Sequence, residues 1–207
     1  MILIGQYDSS YVRRAAIAMR LYGLPFEHRP WSVFSEGEKV RAVNPLMRVP
    51  TLVLDDGDIV ADSNSILDFL DGLVPAEKRL LPQDEPQRRR ALKIMTFATG
   101  LADKGVSLFY EQHLHEAPSA YFVERCRAQI AAVLTALDAD RAARPGAYWF
   151  GRITHADIAV ACAWRHVGEA HPGLIDQAAY KALAAHCASM EALPVFKEIS
   201  QPFIAPA

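Results

Sequence analysis

The sequence predicts an α/β half followed by an all-helical half, and three observations carry that prediction. Short apolar runs alternate with amphipathic stretches from residue 1 to residue 73. A segment with three prolines and mixed charges, Val74 to Pro86, then interrupts the pattern. Beyond it every long segment has helical periodicity.

The first half reads β-α-β-α-β-β-α. Ile2 to Gly5 is a short apolar strand. Ser10 to Tyr22 is a helix carrying Ala15, Ala16, Ile17, Met19 and Leu21 on or near its apolar face. Gly23 stops it, with Pro25 just after. Phe26 to Trp31 is a second strand, held short or at an edge by Pro30. Glu36 to Val43 is a short helix. Thr51-Leu52-Val53-Leu54 and Asp58-Ile59-Val60-Ala61 flank Asp56-Gly57, which predicts a hairpin. Ser63 to Leu73 is a helix with Ile66, Leu67, Phe69 and Leu70 apolar. We place a first domain at 1–75, a linker at 76–85 and a helical domain at 86–207.

In the helical half, Gln87 to His113 carries Leu92, Met95, Leu101, Val106 and Phe109. Ser119 to Ala143 carries Phe122, Cys126, Ile130, Val133 and Leu137 as one stripe, and Arg144-Pro145-Gly146 breaks it. Thr154 then fits an N-cap, with Asp157 three positions on and Ile153 and Ile158 at the staple positions. This assigns Asp157 a structural role. The helix that follows is apolar all round, which predicts burial at the centre of the bundle.

Composition narrows the function. The 207 residues are 51% hydrophobic and 22% charged, with net charge −2. That is an ordinary globular composition with no basic surplus for nucleic acid or an anionic membrane. No apolar stretch is long enough to span a bilayer. Met1-Ile2-Leu3-Ile4-Gly5 has neither a basic leader nor a signal-like run, so a cytoplasmic location is expected. Cys126, Cys162 and Cys187 are widely spaced and odd in number, which argues against a disulfide framework or a zinc site. Glu111, His113, His115 and Glu116 read as a solvated helix end, and Arg88-Arg89-Arg90 as a solvated face.

The chemistry concentrates where the first strand meets its helix. Tyr7-Asp8-Ser9-Ser10 puts hydroxyls at a helix N-terminus, where backbone N–H groups and the dipole favour an anion.

Four stretches carry a family resemblance. They are Ser9-Ser10-Tyr11-Val12-Arg13-Arg14, Asn44-Pro45-Leu46-Met47-Arg48-Val49-Pro50-Thr51-Leu52, Ala61-Asp62-Ser63-Asn64-Ser65-Ile66, and Phe150-Gly151 through Asp157. In this order and spacing the chain resembles the cytosolic glutathione S-transferases, of the serine type. The resemblance implies an N-terminal thioredoxin-like β-α-β-α-β-β-α domain, a C-terminal helical bundle and a homodimer. It implies glutathione as co-substrate, no metal, and a small apolar electrophile as second substrate. Ser9 aligns with the reactive position and would donate a hydrogen bond to the glutathione sulfur; Ser10 and Tyr7 remain alternatives. Pro50 would be cis, and Val49 would pair with the glutathione backbone. Ser63 would hold the γ-glutamyl carboxylate, Asp62 the amine and Arg48 the glycyl end, with Lys39 as a possible helper. Tyr11, the helix around Gly105 to Tyr110, and Trp164 would line the second-substrate pocket. Two positions depart from the pattern. Ser10 replaces a proline, and Met47 replaces a glycine, which predicts an altered loop conformation.

Three functions fit this reading. One is conjugation of glutathione to an apolar electrophile. Another is glutathione-dependent isomerisation, dehalogenation or reduction, although no cysteine stands in the first turn for a mixed disulfide. The third is a non-catalytic binding module.

Overall fold

The first strand is apolar because both its faces are covered. In the computed structural model, which describes residues 1–205, β1 (Ile2–Ile4) lies inside a four-stranded sheet of order β2-β1-β3-β4. β2 (Glu27–Arg29) pairs parallel to β1, with Leu3 opposite His28. β3 (Thr51–Val53) pairs antiparallel to β1, and β4 (Ile59–Ala61) antiparallel to β3. Every strand is shorter than the sequence predicts. Leu3, Ile4 and Leu52 are fully buried.

Contacts divide the chain into two units. The first holds Met1–Gln83 together with the chain from Leu193 onward; the second holds Asp84–Ala192.

In the first unit, α1 (Ser10–Tyr22) buries Val12, Ala15, Ala16, Ile17 and Met19. Gly23 ends it in the left-handed region at φ 69°. Its N–H reaches the Arg20 carbonyl, and the Leu24 N–H reaches that of Met19. This paired closure is a Schellman motif, and glycine takes it without a Cβ penalty. α2 (Gly37–Val43) is short, and α3 (Ser63–Gly72) packs beside α1. The buried Asp71 carboxylate accepts from the Tyr22 hydroxyl and from the N–H groups of Leu80 and Leu81. It ties the end of α3 to the connecting segment.

The last helix of the chain, α8 (Pro194–Glu198), belongs to this unit and packs on α1. Phe196 and Ile199 are buried there. The sequence reading kept these residues with the helical half. Five helical residues hold no stripe that could assign them otherwise.

The second unit packs α4 (Gln87–His113), α5 (Ala120–Ala142), α6 (His155–Ala170) and α7 (Lys181–Glu191). α6 is buried on every side from His155 to Ala163, as its apolar circumference predicts. α4 crosses it closely at Gly105, where a Cβ would stand 2.7 Å from a Val167 methyl. Gly105 therefore serves helix packing. On α5 the core residues are Cys126, Ile130, Leu134 and Leu137, so Leu134 fills the place expected for Val133. Leu92 of α4 is largely exposed.

The start of α6 is a capping box. The Asp157 carboxylate accepts from the Thr154 N–H at 2.8 Å, the Thr154 hydroxyl at 2.6 Å and the Trp149 N–H at 3.1 Å. Burial still pushes this carboxyl above its ordinary range. His186 of α7 stands 3.7 Å away, and burial, with the nearby Arg141 charge, pushes it down to about 4. No described helix is long and apolar enough to cross a membrane.

Candidate functional site

Three loop ends converge on α1. The first is held by Gly5, whose φ of +127° is open to glycine alone. A Cβ there would lie 2.5 Å from a Val12 methyl and 2.8 Å from the Val49 Cβ. The missing side chain lets the end of β1, the first turn of α1 and the Val49–Pro50 stretch meet. Arg14, buried on α1, supplies a further link. Its Nη2 donates to the Ser63 hydroxyl and, at 3.0 Å, to the Asn64 side-chain oxygen at the start of α3. The starts of α1 and α3 and the approach to β3 are thus gathered in the first unit.

Ser9 occupies the N-cap of α1 in extended conformation, φ −68° and ψ 119°. Its carbonyl accepts from the Arg13 N–H at 2.9 Å, and its N–H donates to Gln6 at 3.2 Å. Its hydroxyl makes no capping bond. An N-cap serine normally uses that hydroxyl on the helix. Here it is half-buried and left over for another acceptor or donor. Ser10 is different. Its hydroxyl oxygen is sealed from solvent and bonds to nothing among the described residues. Tyr7 is engaged elsewhere, through its ring. Its ring stacks on His28 of β2, centroids 3.9 Å apart, and burial pushes its phenol up.

The Val49–Pro50 peptide is cis. The loop before it is organised by Asn44, buried at the end of α2. The Asn44 amide donates to the Arg48 carbonyl at 3.1 Å and the Thr51 hydroxyl at 2.9 Å, and its oxygen accepts from the Leu46 N–H. Met47 has φ 50°, so it keeps the left-handed conformation natural to glycine. The side chain is held there at the cost of a strained backbone. Arg48 is exposed, and Lys39 lies 5.9 Å from the Trp31 ring.

Asp62 is a second non-glycine residue at positive φ, with φ 69° and ψ 134°. Its carboxylate caps α3 by accepting from the Asn64 N–H at 2.7 Å. Strain of about 1–3 kcal/mol at a non-glycine residue is a mark of functional sites. Ser63 is enclosed against Arg14, while Asp62 stays exposed.

Arg14, Asn44 and Thr51 were not singled out from the sequence. Arg14 left one signal, a cation inside the apolar stripe formed by Val12, Ala15, Ala16 and Met19. Tyr11 lies on α1 in the first unit. In the second, Phe109 stacks on His113 at 4.0 Å, and His115 pairs with Glu111 at 3.1 Å. Among the described residues no three His, Cys, Asp or Glu side chains group as metal ligands.

The first unit is thus a mixed four-stranded sheet with its helices, on a thioredoxin-like plan, and the second is all helical. Family profiles agree with it. The glutathione S-transferase N-terminal domain matches residues 3–78, and the glutathione S-transferase C-terminal domain matches residues 120–189. The chain belongs to the glutathione S-transferase family. It is 32% identical over 112 residues to the uncharacterized GST-like protein YibF of Escherichia coli K12, covering 54% of this chain and 55% of that one. It is 33% identical over 100 residues to maleylacetoacetate isomerase of Rattus norvegicus, covering 46% and 45%. The chain matches about half the length of these two relatives. Among solved structures it resembles a glutathione S-transferase of Methylobacterium radiotolerans in complex with glutathione sulfonate. The TM-score is 0.88 at 28% identity, covering 100% of this chain and 98% of that one.

Proposed function

We propose that this protein is a glutathione transferase that stabilises the glutathione thiolate for attack on a small apolar electrophile. One observation carries the reading: the Ser9 hydroxyl sits at the N-terminus of α1 without capping it. An ordinary thiol has a pKa of about 8.5, so roughly 3% is ionised at neutral pH. Lowering that by about two units needs about 2.7 kcal/mol of preference for the anion. A charge-assisted hydrogen bond contributes about 1.5–3 kcal/mol, and a helix N-terminus about 0.3–1 kcal/mol. Ser9 and α1 together reach that sum. Ser9 acts as a donor and needs no base of its own.

The peptide part of glutathione pairs with Val49, beside cis-Pro50. The γ-glutamyl carboxylate sits on the N-terminus of α3 at Ser63, Asp62 takes the amine, and Arg48 takes the glycyl carboxylate. The protein works as a cytoplasmic homodimer and requires neither metal nor nucleic acid.

Likeness to maleylacetoacetate isomerase supports a second reading of the same site, glutathione-dependent isomerisation. Calorimetry with glutathione, followed by turnover of a chlorodinitrobenzene, tests the first reading. Conjugation consumes glutathione mole for mole, whereas isomerisation of a maleyl substrate leaves it unchanged. A protein that shows no heat with glutathione is a non-catalytic module, and both readings fail.

A further inference from the structure

The loop that carries Ser9 is held from outside by the end of the chain. α8 reaches α1 through Arg13, a buried guanidinium whose Nε donates to the Ile199 carbonyl at 2.8 Å and whose Nη2 donates to that of Phe196 at 2.8 Å. The same guanidinium lies 5.3 Å from the centre of the Phe196 ring. Those carbonyls belong to the end of a helix, where intrahelical partners run out, and a cation there also complements the dipole. Arg20 adds an ion pair to Glu198 at 2.9 Å. Past Ile199 the chain runs along the turn between β1 and α1. The Gln201 side-chain oxygen accepts from the Tyr7 N–H at 3.3 Å, and the Ile204 N–H donates to the Asp8 carboxylate at 3.1 Å. Tyr7 and Asp8 are the two residues before Ser9. Contacts between residues about 190 positions apart thus close on the two residues that lead into Ser9.

We propose that Gln201 is a positioning residue for Ser9, and that residues 200–205 form a strap fixing the Tyr7-Asp8-Ser9 turn. This rests on the reading of Ser9 as the thiolate donor. A cap hydroxyl would anchor such a turn to its own helix, but the Ser9 hydroxyl does not cap. Placement of the hydroxyl therefore falls to the backbone on either side of it. The Tyr7 N–H and the Asp8 carboxylate are where the strap takes hold. A shift well under an ångström lengthens a hydrogen bond to sulfur while leaving the fold intact.

The test compares wild type with Gln201→Leu, Gln201→Glu and a chain truncated after Ser200, which keeps both carbonyls that Arg13 holds. Three quantities are read: the pH midpoint of thiolate absorbance for bound glutathione, the Kd for glutathione, and kcat with a chlorodinitrobenzene. Gln201→Leu should raise the midpoint and cut kcat about three- to tenfold, the scale of one lost hydrogen bond. The Kd, read at a pH below the wild-type midpoint where glutathione binds as the thiol, should change less than twofold. Gln201→Glu keeps the acceptor oxygen and should restore kcat to within twofold. A merely structural strap would lower thermal stability in Gln201→Leu and leave the thiolate midpoint unmoved. Truncation should reproduce Gln201→Leu or exceed it. Wild-type binding with an unmoved midpoint in Gln201→Leu and in the truncated chain overturns this inference alone. Wild-type protein that takes up no glutathione overturns it together with the function on which it rests.

Discussion

Ser9→Ala separates a structural serine from a working one, because the two roles predict different losses. Removing an N-cap hydroxyl ordinarily costs about 1 kcal/mol of stability. The Ser9 hydroxyl contributes no capping bond. The substitution should therefore change the unfolding free energy by less than about 0.5 kcal/mol, the range of a neutral surface change. The effect on bound glutathione should be much larger. Loss of one charge-assisted hydrogen bond, about 1.5–3 kcal/mol, raises the midpoint of thiol ionisation by about one to two pH units. The sign follows from the charge: the donor favours the anion, so its removal makes the proton harder to lose. At a pH near the wild-type midpoint the thiolate fraction should fall roughly five- to fiftyfold. The rising limb of kcat/KM against pH should move by the same amount. Ultraviolet absorbance of the bound thiolate, titrated with pH, reads this directly, and urea unfolding reads the stability. A variant that loses about 1 kcal/mol of stability and keeps the wild-type midpoint would refute the reasoning, returning Ser9 to an ordinary cap.

Asp71→Ala should lower unfolding stability by about 1–3 kcal/mol, because it strands the buried Leu81 N–H and removes the acceptor of the Tyr22 hydroxyl, while the Leu80 N–H keeps that hydroxyl as its partner; a loss below about 0.5 kcal/mol in urea melts would contradict the network. Met47→Gly should leave stability unchanged or raise it by up to about 1 kcal/mol. It relieves a left-handed residue at φ 50°, about 1–2 kcal/mol, against about 0.4–1 kcal/mol of added freedom in the unfolded chain. A clear loss on thermal unfolding would contradict it. His186 makes stability depend on acid. Its pKa is about 4 in the fold and about 6.5 in the unfolded chain, so the unfolded chain takes the proton first. Stability from this group is intact above about pH 6.5 and declines toward pH 4, by about 3 kcal/mol at the bottom. His186→Gln should flatten the wild-type slope across that window, and parallel slopes would exclude His186 as its source.

The elements that sequence reading locates share one property: their determinants are neighbours along the chain. Gly23 ends α1 because a left-handed residue is needed just past the helix, and glycine stands there. The capping box at Thr154 and Asp157 spans four residues. The Val49–Pro50 bond and the Asp62 cap of α3 are equally local. Most of the candidate site lies in such local stretches, and Ser9, Val49–Pro50 and Asp62–Ser63 were named through the family resemblance that those stretches carry. What escaped is non-local. Arg14 looks like a misplaced cation until Ser63 and Asn64 arrive from 49 and 50 residues away. Arg13 finds its partners only when α8 returns from the far end of the chain. Leu134 displaces Val133 because the neighbours of α5 select the buried positions, and spacing alone leaves adjacent residues equivalent. At Met47 the local rule asks for glycine, and a loop organised by Asn44 and Thr51 holds the conformation against the side chain. Tertiary bonds of about 1 kcal/mol each are enough to override a backbone preference of similar size. A substitution that breaks a local rule is therefore a pointer to the long-range contacts that tolerate it.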